Sequence, residues 1–131
     1  MVDYVLKDKR TIFIDKKVKI GKNVIIYENN RIEGLSVIED NVTIFPNCFI
    51  TNSKICKGAK VYSSIIDRSV IGRCSALGPY SVFRKCDVGD FVKVGAFCEL
   101  KNTKIASSEC VTSGTIVQKS DFCDNINAGQ N

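Results

Sequence analysis

Histidine and tryptophan are both absent from the 131 residues, proline occurs twice and methionine once. The missing histidine excludes most: a chain without imidazole has no ready general base near neutral pH and cannot build a three-histidine zinc site. Two further absences concern location. No apolar run reaches the length of a membrane span, and the opening MVDYVLKDKR lacks the apolar core of a secretory signal. The expectation is a cytoplasmic chain without membrane contact. Lys and Arg outnumber Asp and Glu by 19 to 14, a net charge of +5, but no basic run is interleaved with aromatics. Nucleic acid is therefore not an expected partner, and the charge reads as a solvated outer face.

Seven cysteines (Cys48, Cys56, Cys74, Cys86, Cys98, Cys110 and Cys123) show neither zinc-type pairing nor histidine partners. They read as small, buriable side chains in a reduced compartment rather than as a metal or redox site, and no metal is expected. Cys48 and Cys98 follow an aliphatic by four residues, where a small inward side chain is wanted.

A repeat is present instead. Ser69-Val70-Ile71, Cys86-Asp87-Val88, Thr103-Lys104-Ile105 and Ser120-Asp121-Phe122 place a large apolar residue every 17 positions. Within each unit a finer period runs through Ile71, Leu77, Phe83, Val88, Val94 and Leu100 in steps of six, six and five. Earlier in the chain Ile14, Ile20, Ile26, Ile32, Ile38, Ile44 and Ile50 follow one another by six without interruption. An α-helix needs spacings of three and four and a simple strand needs two. Steps of six, with a small residue after the aliphatic as in Ile71-Gly72 and Val94-Gly95, are the hexapeptide signature of a parallel β-helix. Five-residue steps fall beside Asn52-Ser53, Ser63-Ser64 and Arg68-Ser69, where they tighten a corner. Pro46 and Pro79 sit two residues after an aliphatic, at turn positions.

The expected architecture is all-β: a β-helix of about seven coils, on the order of 30 Å long. Residues 12–131 form the β-helix domain, and residues 1–11 form a lead-in whose Lys7, Lys9 and Arg10 protect the first ladder edge.

The hexapeptides, together with Leu77-Gly78-Pro79-Tyr80-Ser81-Val82-Phe83-Arg84, Val94-Gly95-Ala96-Phe97-Cys98-Glu99-Leu100-Lys101 and Asp124-Asn125-Ile126-Asn127-Ala128-Gly129, resemble one family. It is the C-terminal acetyltransferase domain of the bacterial bifunctional UDP-N-acetylglucosamine pyrophosphorylase and glucosamine-1-phosphate N-acetyltransferase. The resemblance implies a left-handed parallel β-helix, assembled as a homotrimer with acetyl transfer at the subunit clefts. It implies that Arg84 and Lys101 stand where the family holds the sugar phosphate, and Asn127 at a sugar-contacting position. Ser113 stands where the family has its histidine base, and Ile116 where it has a phosphate-binding tyrosine. The stretch stops at Asn131, before the later coils that hold most of the family's acetyl-CoA contacts, and carries no nucleotidyltransferase half.

Two readings remain open. One is a trimeric module that binds a phosphosugar or sugar nucleotide, or serves assembly, without a catalytic base and with no certain cofactor. The other is an acetyl-CoA-dependent acyltransferase using Glu99, Asp121 or a partner subunit. Carboxylates suit deprotonation of an ammonium only when their pKa is raised. The plain alternative for Arg84 and Lys101 is solvated surface charge. The related γ-type carbonic anhydrases and lipid A acyltransferases both depend on histidine and do not fit.

Overall fold

Short strands of two or three residues succeed one another along the chain, and each pairs in parallel with its counterpart one coil later. The structure, a computed structural model, describes residues 3–119. Over these residues the strands gather into three sheets of seven, seven and six. The three walls enclose a left-handed parallel β-helix of about seven coils, against the usual right-handed rule for crossovers. Among the described residues no helix is long and apolar enough to cross a membrane.

The aliphatic lattice lines the interior. Ile26, Ile44, Val61 and Leu77 stack inside the first wall, Ile32, Ile50, Ile66 and Phe83 inside the second, and Ile38, Ile55 and Ile71 inside the third. All are at most 1% exposed. Each large aliphatic buried this way contributes about 1.5–3 kcal/mol. The lead-in contributes a strand of its own, since Val5–Leu6 pairs with Ile25–Ile26 as the outermost described rung of the first wall. A 3-10 turn over Lys9–Thr11 follows, capped by Asp8, whose carboxylate accepts the Arg10 N–H at 3.1 Å.

The corners solve two problems, direction and polarity. From Asn23 onward the corners turn the chain through residues of positive φ, a conformation that asparagine and glycine adopt with least strain. Asn23, Asn29, Asn41, Asn47, Asn52 and Asn102 all take that role. The five-residue steps turn at such residues as well, with Asn52, Ser63 and Arg68 at φ of 48°, 38° and 48°. At Gly72 space, not φ, dictates the residue, because a methyl group there would lie 2.1 Å from the Gly89 carbonyl oxygen.

Polar groups inside the corners are consumed by a relay that climbs from coil to coil. Between the second and third walls, the Ser53 N–H donates to Ser36 Oγ at 3.1 Å, the Ser69 N–H to Ser53 Oγ at 3.0 Å, and the Cys86 N–H to Ser69 Oγ at 3.0 Å. The Ser53 and Ser69 hydroxyls in turn donate to the Thr51 and Asp67 carbonyls, each at 2.9 Å. Between the first and second walls, Asn30, Cys48, Ser64, Ser81 and Cys98 stack in the same manner. There the Cys48 N–H reaches Asn30 Oδ1 at 2.7 Å and the Cys98 N–H reaches Ser81 Oγ at 3.0 Å. Among the described residues no buried side-chain nitrogen or oxygen lacks a partner.

Ser69→Ala removes the acceptor of a buried N–H, and the loss of stability expected in urea unfolding is about 1–3 kcal/mol. Cys86→Ser keeps the relay and should stay within about 1 kcal/mol of the parent.

Candidate functional site

The outer face of the second wall collects the charged residues singled out in the sequence. Its strands Ile65–Asp67, Val82–Arg84, Glu99–Lys101 and Ile116–Gln118 are in register, so that Asp67, Arg84, Lys101 and Gln118 form one vertical column. The middle residue of each strand points into the tube, and the two flanking residues face outward. Arg84 and Lys101 therefore lie side by side on successive coils, and both line a cavity of about 330 Å³ with Glu99, Gln118 and Lys119.

Arg84 has an ionic neighbour below it. Its Nη1 lies 3.5 Å from Asp67 Oδ2, and the same oxygen is approached by Arg68 Nη2 at 3.1 Å and Nε at 3.3 Å. Asp67 is 7% exposed while the two guanidinium groups are half-exposed, so one sheltered carboxylate anchors a pair of cations whose outer faces remain open. Lys101 makes no ion pair among the described residues. A guanidinium and an ammonium so placed suit the oxygens of a phosphate.

Ser113 has a different position and partner. It lies at the corner between the first and second walls, outside the cavity, and its Oγ accepts the Ala96 N–H at 2.9 Å. Ser107 Oγ and Asp90 Oδ1 do the same for the N–H groups of Asp90 and Arg73, at 2.9 and 2.8 Å. The Arg73 N–H, followed by the Arg73 side chain, holds the Asp90 carboxyl below the usual carboxylate range. Ile116 is 65% exposed and stands beside Glu99 on the second wall. Asn127 and Asp121 lie outside the described residues.

Asp67 and Lys119 were not among the residues singled out from the sequence. The signal was present: Asp67 precedes Arg84 by one coil of 17 residues, and Arg68, Lys85, Asn102 and Lys119 form a second series at that spacing.

Cysteine chemistry divides along the wall of the tube. Cys48, Cys86 and Cys98 are buried in the polar relays, whereas Cys74 and Cys110 are exposed. Burial pushes the Cys48 thiol up to about 11 and raises that of Cys86. Among the described residues no group of three or more His, Cys, Asp or Glu side chains is placed to hold a metal ion.

A three-walled hexapeptide tube is the fold of sugar N-acetyltransferases among solved structures. A mutant of GDP-perosamine N-acetyltransferase from Caulobacter crescentus, in complex with CoA and GDP-perosamine, superposes with a TM-score of 0.80 over 91% of this chain and 58% of that one, at 16% identity. The acetyltransferase domain of PglB from Neisseria gonorrhoeae, in complex with acetyl coenzyme A, superposes at 0.62 over 86% and 56%, at 19% identity. At such identities the likeness is one of fold.

Sequence similarity goes further. The chain is 33% identical over 123 residues to the bifunctional protein GlmU of Shouchella clausii, and 34% identical over 125 residues to that of Clostridium beijerinckii. These alignments take in 93% and 95% of this chain but only 27% and 28% of the relatives. No family model matches. The chain is a homologue of GlmU over about one domain's length, consistent with the C-terminal acetyltransferase domain.

Iodoacetamide at pH 8 followed by peptide mass mapping should label Cys74 and Cys110 and spare Cys48, Cys86 and Cys98 in the native protein. Because the folded Cys48 thiol titrates near 11 rather than at the ordinary 9.0, its proton leaves the unfolded chain first. The contribution of Cys48 to stability is therefore complete below pH 9.0 and is lost as pH rises through about 11, which unfolding midpoints across that range would register.

Proposed function

We propose that the chain is a homotrimeric module that binds a phosphosugar or sugar nucleotide at Arg84 and Lys101 and does not itself supply a catalytic base. One observation carries this reading: Arg84 and Lys101 share one cavity on adjacent coils. The base at issue is Ser113, whose hydroxyl oxygen already accepts the Ala96 N–H. A serine hydroxyl abstracts a proton near neutral pH only with an activator of its own. Asn127, from the family's pattern, would complete the sugar contact. The trimer is supported by kinship to GlmU and by the exposed apolar side chains Phe13, Phe49 and Ile116 on the outer side of the second wall.

A second reading, an acetyl-CoA-dependent acyltransferase, is favoured by Glu99, a carboxylate in the same cavity. CoA or acetyl coenzyme A is bound in the solved structures of similar fold. The described cavity offers cations suited to a phosphate and a single carboxylate, Glu99, which does not suit a thioester.

Calorimetry with glucosamine-1-phosphate tests the first reading. Heat of binding is expected from the parent, and Arg84→Ala should weaken binding at least about tenfold, the worth of one charge-assisted contact. No heat from the parent, or an unchanged Arg84→Ala, would sink it. Thiol release from acetyl-CoA above the uncatalysed rate would favour the second reading instead. Mass in solution checks the assembly, with a trimer expected.

A further inference from the structure

The corner between the first and second walls holds a vertical series of left-handed residues: Asn29, Asn47, Ser63, Tyr80, Phe97 and Gly114. They are stacked by the backbone, since the Phe97 N–H donates to the Pro79 carbonyl at 3.1 Å and the Gly114 N–H to the Ala96 carbonyl at 2.9 Å. Two of the six are anomalous. Tyr80 and Phe97 hold φ of 60° and 57°, where a bulky side chain is strained and asparagine is not. They are also 62% and 67% exposed, so burial does not offset the strain. Strain of this kind gathers where a ligand or partner needs the side chain.

The geometry above these rings says which. Tyr80 and Phe97 stack on each other with centroids 5.5 Å apart and planes 22° from parallel. The next place in the series is Gly114, where a methyl group would meet no atom within 4 Å among the described residues. Among the described residues no side chain occupies the rung over Phe97. On the coil that carries Phe97, Lys101 lies four residues further on, at most about 13 Å away. Lys101 in turn lines the cavity that it shares with Arg84.

We infer that Phe97, backed by Tyr80 and left uncovered at Gly114, is a stacking platform for the base of a nucleoside diphosphate whose phosphates lie on Arg84 and Lys101. This rests on the phosphate-binding reading above and narrows the ligand from phosphosugars in general to sugar nucleotides. A flat π-face stacks on a nucleobase without requiring a particular hydrogen-bond pattern. The open rung admits one further ring, and the cation pair lies on the side from which a diphosphate would extend.

The test uses the full chain in calorimetry with UDP, uridine and glucosamine-1-phosphate. Two variants isolate the platform: Phe97→Asn removes the ring, and Gly114→Asn fills the open rung, each with a residue that suits positive φ. Both are expected to weaken UDP roughly tenfold or more, the worth of one base stack, and to leave glucosamine-1-phosphate unchanged. Phe97→Asn should also match or exceed the parent's Tm, which a merely structural ring would not do. If UDP binds parent and variants alike, the platform is overturned while the phosphate site stands. If the parent binds neither UDP nor glucosamine-1-phosphate, both fail. If Phe97→Asn changes the mass in solution and not UDP affinity, the rings are a contact between copies and the inference is wrong.

Discussion

Everything in this molecule depends on vertical register, the rule that each inward side chain lands on a like side chain one coil away. A tube of two- and three-residue strands has almost no structure within a coil that could stand alone. Its ladder bonds and its apolar contacts run between coils, so each turn of the chain is stabilised by the turns beside it. A slip of one residue would exchange inner for outer side chains and place Lys54 or Lys93 where Ile55 or Val94 now sits. The serine and cysteine relays reinforce the same rule by tying a buried N–H of one coil to the hydroxyl of the coil before it.

The outer face inherits this register without contributing to it. Arg84 and Lys101 are neighbours because Phe83 and Leu100, the residues before them, are stacked in the core, both at most 1% exposed. Asp67 belongs to the same column and moderates it, since a sheltered carboxylate in contact with two guanidinium groups holds them in place and lowers the local positive charge. Ser113 shows the reverse arrangement: a hydroxyl singled out in the sequence carries the structural duty of satisfying a corner amide.

Much of this was legible in the residues. The isoleucine lattice and the 17-residue spacing specify the walls, the inward faces and the number of coils, because a period of five and six excludes helix and ordinary strand alike. The five-residue steps beside Asn52 and Arg68 do mark corners. The first rung was not legible, since Val5-Leu6 stands eight residues before Ile14 and breaks the period that identifies the others. At the site, Arg84 and Lys101 were visible and do share a cavity. Asp67 stands one coil before Arg84 in the same period, but that a carboxylate there is sheltered and shared by two guanidinium groups shows only in the folded wall. The stacked aromatics on the corners are 17 residues apart, so the period places Tyr80 one coil below Phe97, but it does not show that their rings turn outward and stack.

Corners that turn on single left-handed residues and walls that touch only their neighbours make the coil a unit of length. In the later part of the chain that unit is 17 residues, with the short step falling at the same corner each time, between Phe83 and Val88 and again between Leu100 and Ile105. Lineages can therefore gain or lose whole turns of the tube there, and a change of 17 would leave every remaining wall in phase. A change of 16 or 18 would have to be absorbed at a corner. Insertions in descendants of this chain should accordingly come in quanta, with the corners as the places where one extra residue, like the exposed Leu35, is tolerated.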